Sequence, residues 1–275
     1  MGHRLLAIDY RLWTIDHRLY YAFKNNSKAI IVNKNTFINL ASHLKNKVLQ
    51  TIMASLKLDL NPTLFLKNPQ DTTLGKKIVG EGVQLIDELG FEHFTFKKLA
   101  EKIGSTEATI YRYFESKHRF LVYIIAWYWH WMEFKIHFST HYLDDPKEKL
   151  SMAIKTLCRK KINDPNFPIL DESILFRIVI NESDKTYLIK EVDKINKEGS
   201  FGGMKQLCEK LMLMVQEVNP NYPFTRSICS TVIQTAHDQL FFSEHLPRLS
   251  DFSECENIPE EIYLFIKDFI FKAIN

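Results

Sequence analysis

The chain has 275 residues, 45% hydrophobic and 25% charged, which is a globular composition and excludes a disordered or fibrous protein. Nine glycines and nine prolines are few for a β-sandwich or a long strand-helix alternation, so an all-α fold is expected. The net charge of +3 is uneven: residues 1–52 hold eight Lys/Arg against two acids, and the rest holds 28 bases against 31 acids. A nucleic-acid function must therefore rest on local placement of charge. No charge-free apolar run reaches about 18 residues, so no membrane span is expected. Cys158, Cys208, Cys229 and Cys255 lack CxxC spacing and read as reduced thiols of a cytoplasmic protein.

Residues 4–24 read RLLAIDY, RLWTIDH, RLYYAFK, three seven-residue units that fade into Lys/Asn-rich text. Three units are short for a coiled coil. Residues 1–52 are therefore expected to be a disordered or non-native extension, with Met53 as the true start. A genuine basic arm is the alternative.

Helical periodicity begins in earnest at residue 74. Ile78, Val79, Val83, Leu85, Ile86 and Leu89 recur at helical spacing, and Gly90 follows as a stop. Thr95 can cap a short second helix carrying Phe96, Leu99, Ala100 and Ile103, which Gly104 ends. Thr106 can cap a third, through Ile110, Tyr111 and Phe114, and Ser116 a fourth that begins at Lys117. Two short helices joined by a tight glycine turn make a helix-turn-helix.

The run Gly90-Phe91, Phe94-Thr95, Leu99-Ala100, Gly104, Thr106, Thr109-Ile110-Tyr111, Tyr113-Phe114, Ser116-Lys117 and Phe120-Leu121 resembles the TetR family of transcriptional repressors. The resemblance covers about 48 residues, placed here as a DNA-binding domain over 73–120. Ser105 and Ala108 depart mildly from the family pattern, and Glu107 puts an acid near the DNA. It implies double-stranded operator DNA as partner, contacts from the Thr109, Tyr111 and Lys117 positions, and a helical ligand-binding and dimerisation domain over 121–275.

The side-chain chemistry agrees. Arg112 can fork onto guanine O6 and N7, and Thr109 and Tyr113 are expected to project beside it. Tyr111 and Tyr113 can donate to phosphate, and Lys97, Lys98 and Lys117 suit phosphate contacts. Thr95, Thr106 and Glu107 at the helix starts complete the candidate set. Phe114 reads as core. The span 73–120 carries only one net positive charge, eight bases against seven acids, so the motif decides more than the charge.

From Lys117 onward comes an aromatic helix holding Trp127, Trp129 and Trp131, apolar nearly all round and so expected inside a bundle. Further helices are expected from Asp145-Pro146 to about 162, and near 171–181, 184–197, 201–218, 224–244 and 259–275, with NDPNFP as a loop. Apolar stripes on the last two, Ile262, Phe265, Ile266, Phe269, Ile270 and Ala273 on one and Ile228, Val232, Thr235, Ala236 and Phe242 on the other, suit either a homodimer seam or an internal core. Tyr128, His130, Trp131, Phe134, Phe176 and His237 are candidate lining for a small hydrophobic ligand, with ordinary core packing as the competing reading. No metal-ligand spacing, cofactor loop or catalytic pattern is found, so neither cofactor nor enzyme activity is expected. The leading expectation is a ligand-responsive homodimeric repressor of a near-palindromic operator. A regulator controlled by a protein partner, and an all-helical enzyme or scaffold, are the alternatives.

Overall fold

The computed structural model describes residues 58–159 and 170–275. The chain divides into two units, Met1–Thr51 and Ile52–Asn275, and the described residues all belong to the second. The seven-residue repeat, Met53 and the NDPNFP segment lie outside the described residues. Among those described there are eleven α-helices, three 3₁₀ turns and no strand.

The chain enters through an irregular strap, residues 58–72, built on two 3₁₀ turns, Pro62–Leu64 and Pro69–Asp71. Each turn has proline at its start and an asparagine cap, Asn61 or Asn68, whose side chain accepts an N–H two residues on. Leu60 and Leu64 are buried, and the Gln70 amide bonds both the N–H and the C=O of Leu58.

Four helices then form a head. α1 (Thr73–His93) is capped by Thr72 and broken at Gly90, where φ is 74°. α2 (Phe96–Ile103) is capped by Thr95, which accepts the Lys98 N–H, as expected from the sequence. It ends at Gly104 in the left-handed region, φ 68°. There Gly104 N–H donates to Glu101 and Ser105 N–H to Ala100, the paired bonds of a Schellman stop that strongly favours glycine. α3 (Glu107–Tyr111) follows α2 after three residues, Gly104 to Thr106. α4 (Lys117–Thr140), capped by Ser116, runs on from the head into the bundle. Phe94, Phe114 and Phe120 are fully buried, with ring centroids 4.9–5.5 Å apart. Gly82 lets α1 approach α4 here, since a β-carbon would lie on the Phe120 ring.

The bundle comprises α5 (Pro146–Cys158), α6 (Glu172–Glu182), α7 (Asp184–Tyr187), α8 (Val192–Lys197), α9 (Gly202–Val218), α10 (Thr225–His245) and α11 (Ile258–Ile274). α4 packs on α5 and α9, and α10 packs on α9 and α11. Every residue of α4 from Phe120 to Trp129 is buried, which fits its apolar character on all faces. The single helix expected over 184–197 is instead two, α7 and α8, separated at Leu188 (φ −84°, ψ 50°). Neither glycine nor proline stands at that break.

Candidate nucleic-acid interface

The head presents α3 on a short scaffold. α2 packs on α1 through the buried Leu99, Ala100 and Ile103, and α3 is anchored by Ile110, which is wholly buried. The remaining positions of α3 face outward. Glu107 and Ala108 are exposed, Thr109 is half-buried, and Tyr111 is 47% exposed with its ring edge-on to Phe96 at 5.0 Å. Arg112 caps the helix, is exposed, and pairs with no described residue. Lys97 is exposed on the first turn of α2. Tyr111, Arg112 and Lys97 are thus exposed on the head and Thr109 partly so, offering a guanidinium, an ammonium and hydroxyls, the groups that grip phosphate and read base edges.

Three expectations need correction. Tyr113 does not project beside Arg112: it is 4% exposed, its hydroxyl lies 2.8 Å from the Thr72 hydroxyl, and the strap covers it. Lys117 is not a free cation. Its ammonium donates to the carbonyls of Phe91, Glu92 and Phe94 at 3.2–3.3 Å and sits 4.8 Å from the centre of the Phe91 ring. Carbonyls freed at the break in α1 need donors, and Lys117 supplies them. Thr106 makes no cap bond; its hydroxyl pairs with that of Thr109 at 3.0 Å. Lys98 remains exposed and donates to His93 O at 2.9 Å.

Residues 78–124 match the bacterial regulatory proteins of the TetR family. That segment is a TetR-family DNA-binding head. No curated protein matches the chain in sequence. Among solved structures it is similar to the TetR family transcriptional regulator PfmR from Thermus thermophilus, with 17% identity and a TM-score of 0.50 over 72% of this chain and 98% of that one. It is similar also to the fatty acid degradation regulator FadR from Bacillus halodurans, with 18% identity and a TM-score of 0.48 over 72% and 97%. The superantigen PfiT gives 12% identity and a TM-score of 0.50 over 73% and 96%. Identities this low show a shared fold alone, so a DNA-binding reading rests on the head.

Two sets of contacts tie the TetR head to the bundle. On one side Arg177 of α6 forks onto Asp87 of α1 at 2.9 and 2.6 Å. Beside it, the buried Glu182 accepts the Phe91 N–H at 3.0 Å and holds Lys185, which also reaches Glu92. On the other side the strap spans from bundle to α3. Asn61 and Thr63 donate to Glu198 O, Arg119 pairs with the Glu198 carboxylate, and Leu66 N–H donates to Tyr113 O at 2.8 Å.

A half-open cleft of about 980 Å³ lies between the end of α4, α5, α6, the end of α10 and the start of α11. Met152, Ile180, Leu240, Phe241 and Ile258 give it apolar wall, and Phe176 and Arg177 of α6 also line it. Of the candidate lining residues only Phe176 is there. Tyr128, Trp131 and His237 are buried core, and half-buried Phe134 stacks on Trp131 with ring centres 5.5 Å apart. Tyr128 Oη lies 2.9 Å from His237 Nε2, and His237 Nδ1 lies 2.8 Å from Ile233 O. The Ile233 carbonyl can only accept, so Nδ1 carries a proton. His130 is half-buried against Gly203, and burial lowers its pKa. No described helix is long and apolar enough to cross a membrane.

Proposed function

We propose that this chain is a cytoplasmic homodimer that represses transcription from a near-palindromic operator and releases it when a small, largely apolar ligand binds. The observation that carries the DNA-binding core of this reading is the outward set Lys97, Thr109, Tyr111 and Arg112 on a glycine-stopped helix-turn-helix. Two further features support the finer parts. Leu264, Phe265 and Phe269 leave 41–48% of their surface exposed on α11, while Ile262, Ile266, Ile270 and Ile274 are buried within the protomer. That divided stripe suits a seam to a second copy, since large apolar side chains in a row on one helix favour a partner. The cleft, with apolar walls and a size within the usual range of ligand sites, supports a ligand. Its wall α6 is also the helix that holds Asp87 and Phe91 of the head, which gives a ligand a route to the DNA-binding surface.

Binding-site selection with the full chain tests the reading. The expected product is a consensus with two half-sites, bound by a dimer whose recognition helices lie about 34–36 Å apart. A single unrepeated half-site, or no enrichment, contradicts it. Any ligand found must lose affinity in the presence of operator by the factor with which it weakens operator binding.

A further inference from the structure

The strap places a cation at the head where the sequence predicts Tyr113. Leu66 is held by its N–H to Tyr113 O, and Asn68 is fixed two residues on as the cap of the Pro69–Asp71 turn. Lys67 lies between these two pinned neighbours. Its ammonium sits 5.2 Å from the centre of the Tyr113 ring, over the face of a tyrosine that is itself buried. Lys67 is exposed, and no described carboxylate pairs with it. The next residue back along the chain from Tyr113 is the exposed Arg112, and Tyr111 precedes that.

The geometry points to Lys67 as a further DNA-binding residue: the strap covers Tyr113 and offers the Lys67 ammonium, in its place, to an operator backbone phosphate beside the C-terminal end of α3. The inference rests on the DNA-binding reading above and extends it to a segment outside the helix-turn-helix. Three features make the contact effective. The backbone of the strap is already ordered, so binding fixes one side chain and not a loop. No resident carboxylate has to be displaced. An ammonium on a flexible stem is a point charge suited to phosphate and carries little sequence information.

The test compares the full-length wild type with Lys67→Gln and Lys67→Arg on the selected operator, measuring affinity from about 50 to 200 mM salt. Losing one phosphate contact makes the slope of log K against log salt shallower by about 0.9 for each protomer bound. We expect Lys67→Gln to show that change, to lose affinity equally on operator and on unrelated DNA, and to keep the wild-type consensus. Lys67→Arg should restore the slope. A merely structural role would lower thermal stability and leave the slope alone, so a melting curve for each variant belongs with the titrations. Lys67→Gln with the wild-type slope overturns the inference while leaving the DNA-binding reading intact. A wild type that binds no DNA overturns both.

Discussion

Replacing Lys117 with alanine removes one ammonium from three backbone carbonyls at the broken end of α1. Charged hydrogen bonds of this kind contribute about 1.5–3 kcal/mol, and carbonyls left without donors add to the loss. We therefore expect Lys117→Ala to lower the unfolding free energy of the protein by an amount in that range and to shift its denaturation midpoint accordingly. An unchanged midpoint, with only the salt dependence of DNA binding reduced, would return Lys117 to the phosphate. Arg112→Ala should behave differently. Its guanidinium is exposed and unpaired among the described residues, so its loss should leave stability within about 0.5 kcal/mol. Preference at one base position per half-site should then relax by about 1–3 kcal/mol. Selection on the variant would show this as one degenerate position, and a retained consensus would remove Arg112 from base reading. His130 adds a pH dependence. Burial lowers its pKa below the ordinary 6.5, against the pull of Glu133 and Asp59. The unfolded chain then binds more protons than the folded one as pH falls below about 6.5. The stability tied to the neutral ring is present above that value and is lost as pH drops through the folded pKa. Urea midpoints at about pH 7.5 and 5.5 should converge in His130→Gln relative to wild type; an identical drop in both would contradict this.

At the scale of elements, the helix-turn-helix is legible in the sequence because its signals are local. Threonine and serine caps, the Gly104 stop and the apolar spacing of α1 and α2 each act within one turn of chain, and the structure uses nearly all of them. The strap is not legible. Its turns are three residues long and have no period, and its contacts with Glu198 and Tyr113 lie about 137 and 47 residues away in sequence. Tyr113 differs from expectation for that reason: it lies past the end of α3, and its hydroxyl, carbonyl and ring meet Thr72, Leu66 and Lys67 of the strap. The break at Leu188 is hidden because its residues suit a helix and neither glycine nor proline marks it. The cleft leaves no sequence signal because its walls come from five helices far apart in the chain, whereas aromatic stripes such as Tyr128 and Trp131 mark core and cavity alike. The strap's own anchor is testable. Gly199 has φ 79°, and a β-carbon there would lie on the Asn61 amide. Gly199→Ala should cost about 1–3 kcal/mol through backbone strain and lost strap contacts. Asn61→Ala should cost less, because it removes one cap and one bond to Glu198 O without strain. The reverse order in chemical denaturation would mean that the strap tolerates displacement.

For the whole molecule, the divided stripe on α11 separates assembly from folding. Phe269 is 41% exposed in the protomer, whereas Ile266 and Ile270 are buried. Phe269→Glu should therefore keep the helical content and melting of the protomer but break the proposed pair, since a charge confined to an apolar seam costs several kcal/mol. Ile266→Glu should fail to fold. Sedimentation of Phe269→Glu is the measurement, and a dimer of wild-type strength would place the seam elsewhere.

The three tryptophans of the bundle, Trp127, Trp129 and Trp131, all sit on α4, the helix that begins in the head at Lys117 and ends in the body at Thr140. They are at most 7% exposed, and Trp127 and Trp131 stack with ring centres 6.1 Å apart. With the fourth tryptophan, Trp13, replaced by phenylalanine, the protein carries its optical probe wholly on a helix that runs from head to body. Indole emission depends on the rings and dipoles within a few ångströms, so a small shift of α4 against α9 alters intensity or wavelength without any attached dye. Operator binding and ligand binding could each be followed by that signal, and their rates compared on a single helix.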